Sequence, residues 1–233
     1  MKNKISIIIP AHNEEQYIEK TIKNIQANKM PMEIIVVCDN CNDKTFSISK
    51  KYTKKVFNVN YTNIAKTKNF GTKKAIGDIL VFIDADTLIS QNYLEEISKA
   101  LTKYDYGVGK WISESKTIIG KYIAWTNNRY HKLYSSINGN SFIRSKVFHE
   151  VNGFNESILR GEDSNLGERL KKNKFSFIHL GNIMQIPSER KYKQEGYYNK
   201  ILKDRIKGWS YSLHRKQYNK THQNIQKQNI LTN

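Results

Sequence analysis

Two carboxylates stand two residues apart in Asp84-Ala85-Asp86, directly after the apolar run Ile79 to Ile83. In extended backbone such a pair projects to one side, about 7 Å apart at roughly 3.3 Å per residue. At about 6 Å and an effective dielectric near 20 the charges repel by about 2–3 kcal/mol, which solvent or a bound cation relieves. Hard divalent cations with oxygen ligands, Mg²⁺ or Mn²⁺, suit the pair and commonly share their coordination with substrate phosphates. An Asp-x-Asp triplet is common in loops, and its place behind a buried run is what singles this one out. Lys66, Lys68, Lys73 and Lys74, with Asn69 and Gly71, occupy the segment Ile64 to Gly77 just upstream. They read either as phosphate ligands that complement the acids or as a solvated lysine face.

Other apolar runs also empty into polar groups. Ile5 to Ile9 leads into Pro10-Ala11-His12-Asn13-Glu14, and Glu33 to Val37 leads toward Asp39-Asn40-Cys41-Asn42-Asp43. Asn13 and Asp43 read equally well as helix caps or turn residues. The elements that position these groups follow from hydrophobic period. Ile5 to Ile9, Glu33 to Val37, Lys55 to Val59 and Ile79 to Ile83 read as strands. Glu14 to Ala27, Lys44 to Lys51, Ile64 to Ala75 and Asn92 to Lys103 read as helices. The β-α alternation predicts an α/β protein with a mostly parallel sheet covered on both faces, where ligands bind beyond the carboxyl ends of the strands.

A chain of 233 residues with 38% hydrophobic residues has enough material for one large domain, or for a domain with an appendage, and is not disordered. Lys and Arg total 39 against 21 Asp and Glu, a formal charge of +18 that points to an anionic partner. The apolar runs fall far short of the roughly 20 residues that span a bilayer. Met1 to Lys4 passes straight into a five-residue run that ends at Pro10, which argues against a secretory signal and for a cytoplasmic protein. Cys38 and Cys41 have no second pair with which to complete a zinc site, and they read as reduced bystanders in preference to a redox pair.

The ordered set Ser6 to Glu15, Asp39, Lys68-Asn69-Phe70-Gly71, Ala75 to Asp78 and Asp84-Ala85-Asp86 resembles the family 2 glycosyltransferases of the GT-A fold. The match continues through Gly139 to Arg144, Phe148 to Glu156, and Glu162-Asp163 ahead of Leu166 to Leu170, so it covers about residues 4 to 190. The resemblance implies a metal-dependent, inverting transfer of a sugar from a nucleoside diphosphate sugar, of UDP or GDP type, to a glycan or lipid-linked acceptor. Pro10, His12, Glu14 and Asp39 would face base and ribose, with Asp39 accepting from a base N–H. Lys68 stands where the family commonly carries Arg, and keeps the charge for a base or phosphate contact without the planar fork. Asp84 would lie near ribose and metal, and Asp86 would bind the Mn²⁺ or Mg²⁺ that bridges the diphosphate. Asp163 would be the general base, with Glu162 and Trp111 on the acceptor side. Taken alone, Glu162 and Asp163 also read as charges that complement a helix N-terminus.

The resulting organisation is a GT-A domain over 1–190, with a nucleotide-sugar half to about 103 and an acceptor and catalytic half from 104, then a basic helical tail over 191–233. Arg190 and Lys191 are candidate diphosphate ligands. Tyr198, Ile201, Leu202, Ile206, Trp209 and Leu213 fall near helical spacing among lysines and arginines, which suits either a helix on the inner face of an anionic membrane or one packed on the domain. Trp111, Trp125, Tyr130 and Tyr134 read either as stacking platforms for the acceptor or as core. A nucleic-acid-binding protein has no use for acids at three strand ends, a nucleotidyltransferase would carry a Gly-rich, Arg-containing loop after the first strand, and a non-catalytic sugar-nucleotide binder stays open.

Overall fold

The computed structural model describes residues 4–114 and 117–188. The first half runs β1 (Ile5–Ala11), α1 (Ile18–Gln26), β2 (Met32–Asp39), α2 (Thr45–Lys50), β3 (Lys55–Val59), α3 (Ile64–Lys73), β4 (Ile79–Phe82), β5 (Thr87–Ile89) and α4 (Tyr93–Ala100). It continues through β6 (Tyr106–Trp111), α5 (Ile118–Tyr134), β7 (Ser141–Arg144), α6 (Ser145–Glu150), α7 (Glu162–Lys172) and β8 (Phe177–Pro187). The strands form one sheet in the order β3-β2-β1-β4-β7-β6-β8-β5. β3, β2, β1 and β4 are parallel, as is the β6–β8 pair. β7 runs antiparallel to β4 and β6, and β5 runs antiparallel to β8.

Strand residues alternate between two cores. Ile5, Ile7, Ile9, Val36 and Val81 pack beneath Ile18, Ile22 and Ile25 of α1 and Tyr93, Leu94 and Ile97 of α4. Ile8, Leu80 and Phe82 face the other way, toward Ala65, Phe148, Phe154, Leu166 and Leu170. Because both faces are covered there, β1, the inner part of β2 and β4 are almost wholly buried, and their polar groups stand at the strand ends.

The elements differ from expectation at three places. β1 continues through Pro10 to Ala11, because its pairing with β4 stops at Ile8 and the missing proline N–H on that side interrupts no ladder. α1 starts at Ile18 instead of Glu14, because Asn13 has φ of +54° and residues 14–17 form a turn in which the Glu14 carbonyl accepts from Tyr17 N and Ile18 N. The short β5 was not expected. It is held to α1, where Asn24 Nδ2 donates to Ile89 O at 3.1 Å and Ile89 N donates to Asn24 Oδ1 at 2.7 Å. Arg190, Lys191, the helix expected around Tyr198 to Leu213 and the rest of the 191–233 tail lie outside the described residues. No helix among the described residues is long and apolar enough to cross a membrane.

Candidate active site

The carboxyl ends of β1 and β2 are sewn together by their loops. Asn42 N donates to Asn13 Oδ1 at 2.8 Å, Glu15 N to Asp43 Oδ2 at 3.0 Å, and Glu14 N to Thr45 Oγ1 at 2.7 Å. Asp43 also accepts from Thr45 N at 2.9 Å and so starts α2, whereas Asn13 bridges the two loops and caps nothing. His12 is exposed, and its Nδ1 lies 2.7 Å from the Asp39 carbonyl. A cavity of about 220 Å³ opens here, lined by Pro10, Ala11, His12, Asp39, Asn40, Thr62, Asn63, Ile64 and Thr67. Three of the expected nucleotide residues, Pro10, His12 and Asp39, therefore share one pocket, while Glu14 and Lys68 are not in its lining.

Asp39 is 8% exposed, and its carboxylate organises the pocket wall. Oδ1 accepts from Tyr61 N at 2.7 Å and Thr62 N at 3.1 Å; Oδ2 accepts from Asn63 N at 3.3 Å and Thr67 Oγ1 at 2.7 Å. Asn40 Nδ2 also donates to Oδ1 at 3.3 Å, so donors of the chain itself surround the group expected to take a base N–H. Asn63, which its sequence position alone did not mark, caps α3 by accepting from Lys66 N at 3.1 Å and donates to Glu156 O at 2.9 Å.

At the end of β4, Asp84 and Asn140 are bonded twice. Asp84 N donates to Asn140 Oδ1 at 2.8 Å, and Asn140 Nδ2 donates to Asp84 Oδ2 at 3.0 Å. Gly139 lies against the same carboxylate, where a Cβ would stand 2.6 Å from Asp84 Oδ2. Asp84 and Asp86 are both half-buried. Among the described residues no group of three or more His, Cys, Asp or Glu gathers into a cage. The paired carboxylates of Asp84 and Asp86 suit Mg²⁺ or Mn²⁺, which keep waters and take substrate phosphate oxygens for part of their shell.

Lys68, expected to contact base or phosphate, is paired in this structure with the two acids of α7. Its side chain is 2% exposed, and Nζ donates to Glu162 Oε1 at 2.8 Å and Asp163 Oδ1 at 2.7 Å. The ammonium also sits 4.9 Å from the centroid of Phe154. Gly161, with φ of +81°, makes the turn that starts α7 and turns both acids inward. Burial by itself would lower the lysine pKa, but Asp163, Glu162 and Asp84 raise it and hold the group charged. Burial pushes Asp163 up to about 6, with Glu162 and Asp84 adding to the rise and Lys68 opposing it. Burial also acts against ionisation of Glu162, but Lys68 outweighs it and keeps that carboxyl below its ordinary value. The arrangement can hold one ionised carboxylate and one carboxylate able to take a proton near neutral pH, close to the Asp84 charge.

Trp111 is only 9% exposed, and its backbone N and O are both bonded to Asn128 at 2.8 Å, so the indole belongs to the core alternative. Trp125, Tyr130 and Tyr134 are exposed.

The sequence description of Glycosyl transferase family 2 matches residues 6–152, which hold the β1, β2 and β4 strand ends just described. The chain belongs to glycosyl transferase family 2. Among the relatives of this family 2 chain, the 4,4'-diaponeurosporenoate glycosyltransferase of Staphylococcus haemolyticus is 37% identical over 110 residues, which are 44% of this chain and 29% of that protein. The Campylobacter jejuni GalNAc(5)-diNAcBac-PP-undecaprenol beta-1,3-glucosyltransferase is 31% identical over 193 residues, 76% of this chain and 62% of that one. The chain thus spans less than two thirds of each of these relatives. The structure of S. aureus TarS in complex with UDP-GlcNAc superposes with a TM-score of 0.67 at 20% identity, covering 80% of this chain and 59% of that one. The Pyrobaculum calidifontis mannosyltransferase PcManGT, in complex with GDP-Man and Mn²⁺, gives 0.65 at 18% identity over 80% and 57%. These likenesses establish the GT-A fold expected from the sequence.

Proposed function

We propose that this chain transfers a sugar from a nucleoside diphosphate sugar to an acceptor hydroxyl with inversion, and that Asp163 is the general base. The observation that carries the reading is the convergence of Asp163 and Glu162 on Lys68 within electrostatic reach of Asp84, groups that lie far apart in sequence. A helix-capping role for the acids would leave them in solvent, and it would not require a buried lysine between them. The donor reading is supported by the pocket at Pro10, His12 and Asp39 and by the UDP-GlcNAc, UDP and GDP-Man complexes of the structural neighbours. A lipid-linked acceptor is favoured by the PP-undecaprenol in the name of the Campylobacter relative.

In this reading the acceptor oxygen attacks the anomeric carbon as its proton passes to Asp163, and the bond from that carbon to the diphosphate oxygen breaks. A carboxyl pushed up to about 6 is ionised at pH 7 yet basic enough to take the proton, which is the balance general-base catalysis needs. Lys68 holds the base in place. With Glu162 also ionised, the lysine's single charge offsets one of the two carboxylates, so the excess negative charge favours taking up the proton. Asp84, oriented by Asn140, and Asp86 would hold Mn²⁺ or Mg²⁺, which supplies charge neutralisation for the departing diphosphate. Calorimetric titration of UDP and GDP, with and without Mn²⁺, on wild type and Asp86→Ala tests the donor site. Affinity is expected only with the cation and the intact aspartate; equal affinity in all four cases would discard the metal role.

A further inference from the structure

We infer that the outer face of α5 docks on an anionic lipid bilayer. Ile118, Tyr122, Trp125, Arg129 and Leu133 follow one another at steps of three and four residues and form a single stripe along the helix. Their exposure is the reverse of what a core stripe would show. Ile118 is 86% exposed, Tyr122 56%, Trp125 58% and Leu133 61%. The helix has not simply rotated, because its inner side is pinned. Gly120 and Ile123 are buried, and Asn128 is bonded to both backbone groups of Trp111.

The chemistry of the face selects the occupant. Lys121, Arg129 and Lys132 are exposed on α5, and the sequence from Thr117 to Asn140 contains no Asp or Glu. Arg129 lies 5.8 Å from the Trp125 ring centroid, and Tyr122 and Trp125 stack at 6.2 Å. A sugar-binding platform would pair aromatic faces with hydrogen-bonding groups and has no use for two bare isoleucines and a leucine. Aliphatic residues flanked by Trp, Tyr and basic side chains suit a helix lying in the headgroup region, with its apolar side among acyl chains and its cations among phosphates. The helix runs into the loop that carries Gly139 and Asn140, so docking would bring the Asp84 end of the sheet to the membrane surface.

This inference goes beyond the transferase reading and is tested without donor or acceptor. Flotation of the full chain should be compared on phosphatidylcholine vesicles and on vesicles with phosphatidylglycerol, for wild type and for Ile118→Asn, Trp125→Asn and Leu133→Asn, singly and together. These substitutions leave the net charge unchanged, so they separate insertion by α5 from general attraction of a chain with formal charge +18. Melting curves report whether each variant is folded, and the single variants keep the comparison usable if the triple variant is not. The expected result is binding to acidic vesicles at low salt, a blue-shifted tryptophan emission that Trp125→Asn diminishes, and a partition coefficient at least about tenfold lower in the triple variant. Acidic-vesicle binding by the folded triple variant at the wild-type level would overturn the inference, as would wild-type protein that ignores acidic vesicles. A wild-type dimer that the same substitutions dissolve, without vesicle binding, would overturn it in favour of a second copy of the chain.

Discussion

Lys68 holds one charge against two carboxylates, and with Asp163 as the base the pH dependence of transfer should be set there. Below about pH 6 Asp163 is protonated and cannot accept a proton, so kcat/KM should fall about tenfold per pH unit on the acid side. Lys68 lowers the Asp163 pKa, so its removal must raise it: Lys68→Met should move the acid limb to higher pH, and Lys68→Arg should restore it. Removing one partner of a buried ion pair also costs about 3–5 kcal/mol, which makes the arginine variant the better-folded control. A pH–rate profile with the same limb in all three proteins would separate Asp163 from the limiting step. Gly139→Ala would thrust a Cβ to 2.6 Å from Asp84 Oδ2 and displace that carboxylate. We expect Mn²⁺-dependent donor affinity to drop about tenfold with at most about 1–3 kcal/mol lost in stability, by calorimetry and urea unfolding respectively. The charge of Lys68 was legible in the sequence but its partners were not, because α7 follows α3 only after about ninety residues of chain and nothing local marks the contact.

At the scale of elements, α3 depends on Asn63, which both caps its first turn and ties it to Glu156. Asn63→Ala should cost about 1–2 kcal/mol, read as a lower melting temperature, and Asn63→Asp should recover the cap part of that loss. The parallel strands were legible because burial on both faces makes them continuous apolar runs flanked by polar turns. β5 was not, since three residues carry too short a pattern and its position depends on Asn24 of α1. The late start of α1 was hidden for a related reason: the left-handed Asn13 is fixed by Asn42, a partner from another loop. The three strand-end clusters, by contrast, were visible as soon as the strands were, because in a sheet covered by helices the polar groups that serve ligands have nowhere else to stand.

For the whole molecule, a formal charge of +18 suits the proposed donor, which carries two phosphates. A donor at one hundred times its dissociation constant should add about 2.7 kcal/mol to stability, so a melting panel of UDP, GDP, CDP and dTDP sugars with Mn²⁺ should single out one nucleotide. That nucleotide's sugar is the substrate for the measurement that bears most directly on the account, the release of nucleoside diphosphate by wild type and by Asp163→Asn at saturating donor and Mn²⁺. Asparagine keeps the size of the side chain and can still meet Lys68, but it cannot take a proton. The expected result is unchanged donor affinity with turnover lower by about 10²–10⁴-fold. Release by the asparagine variant at the wild-type rate would contradict it and move the base away from Asp163.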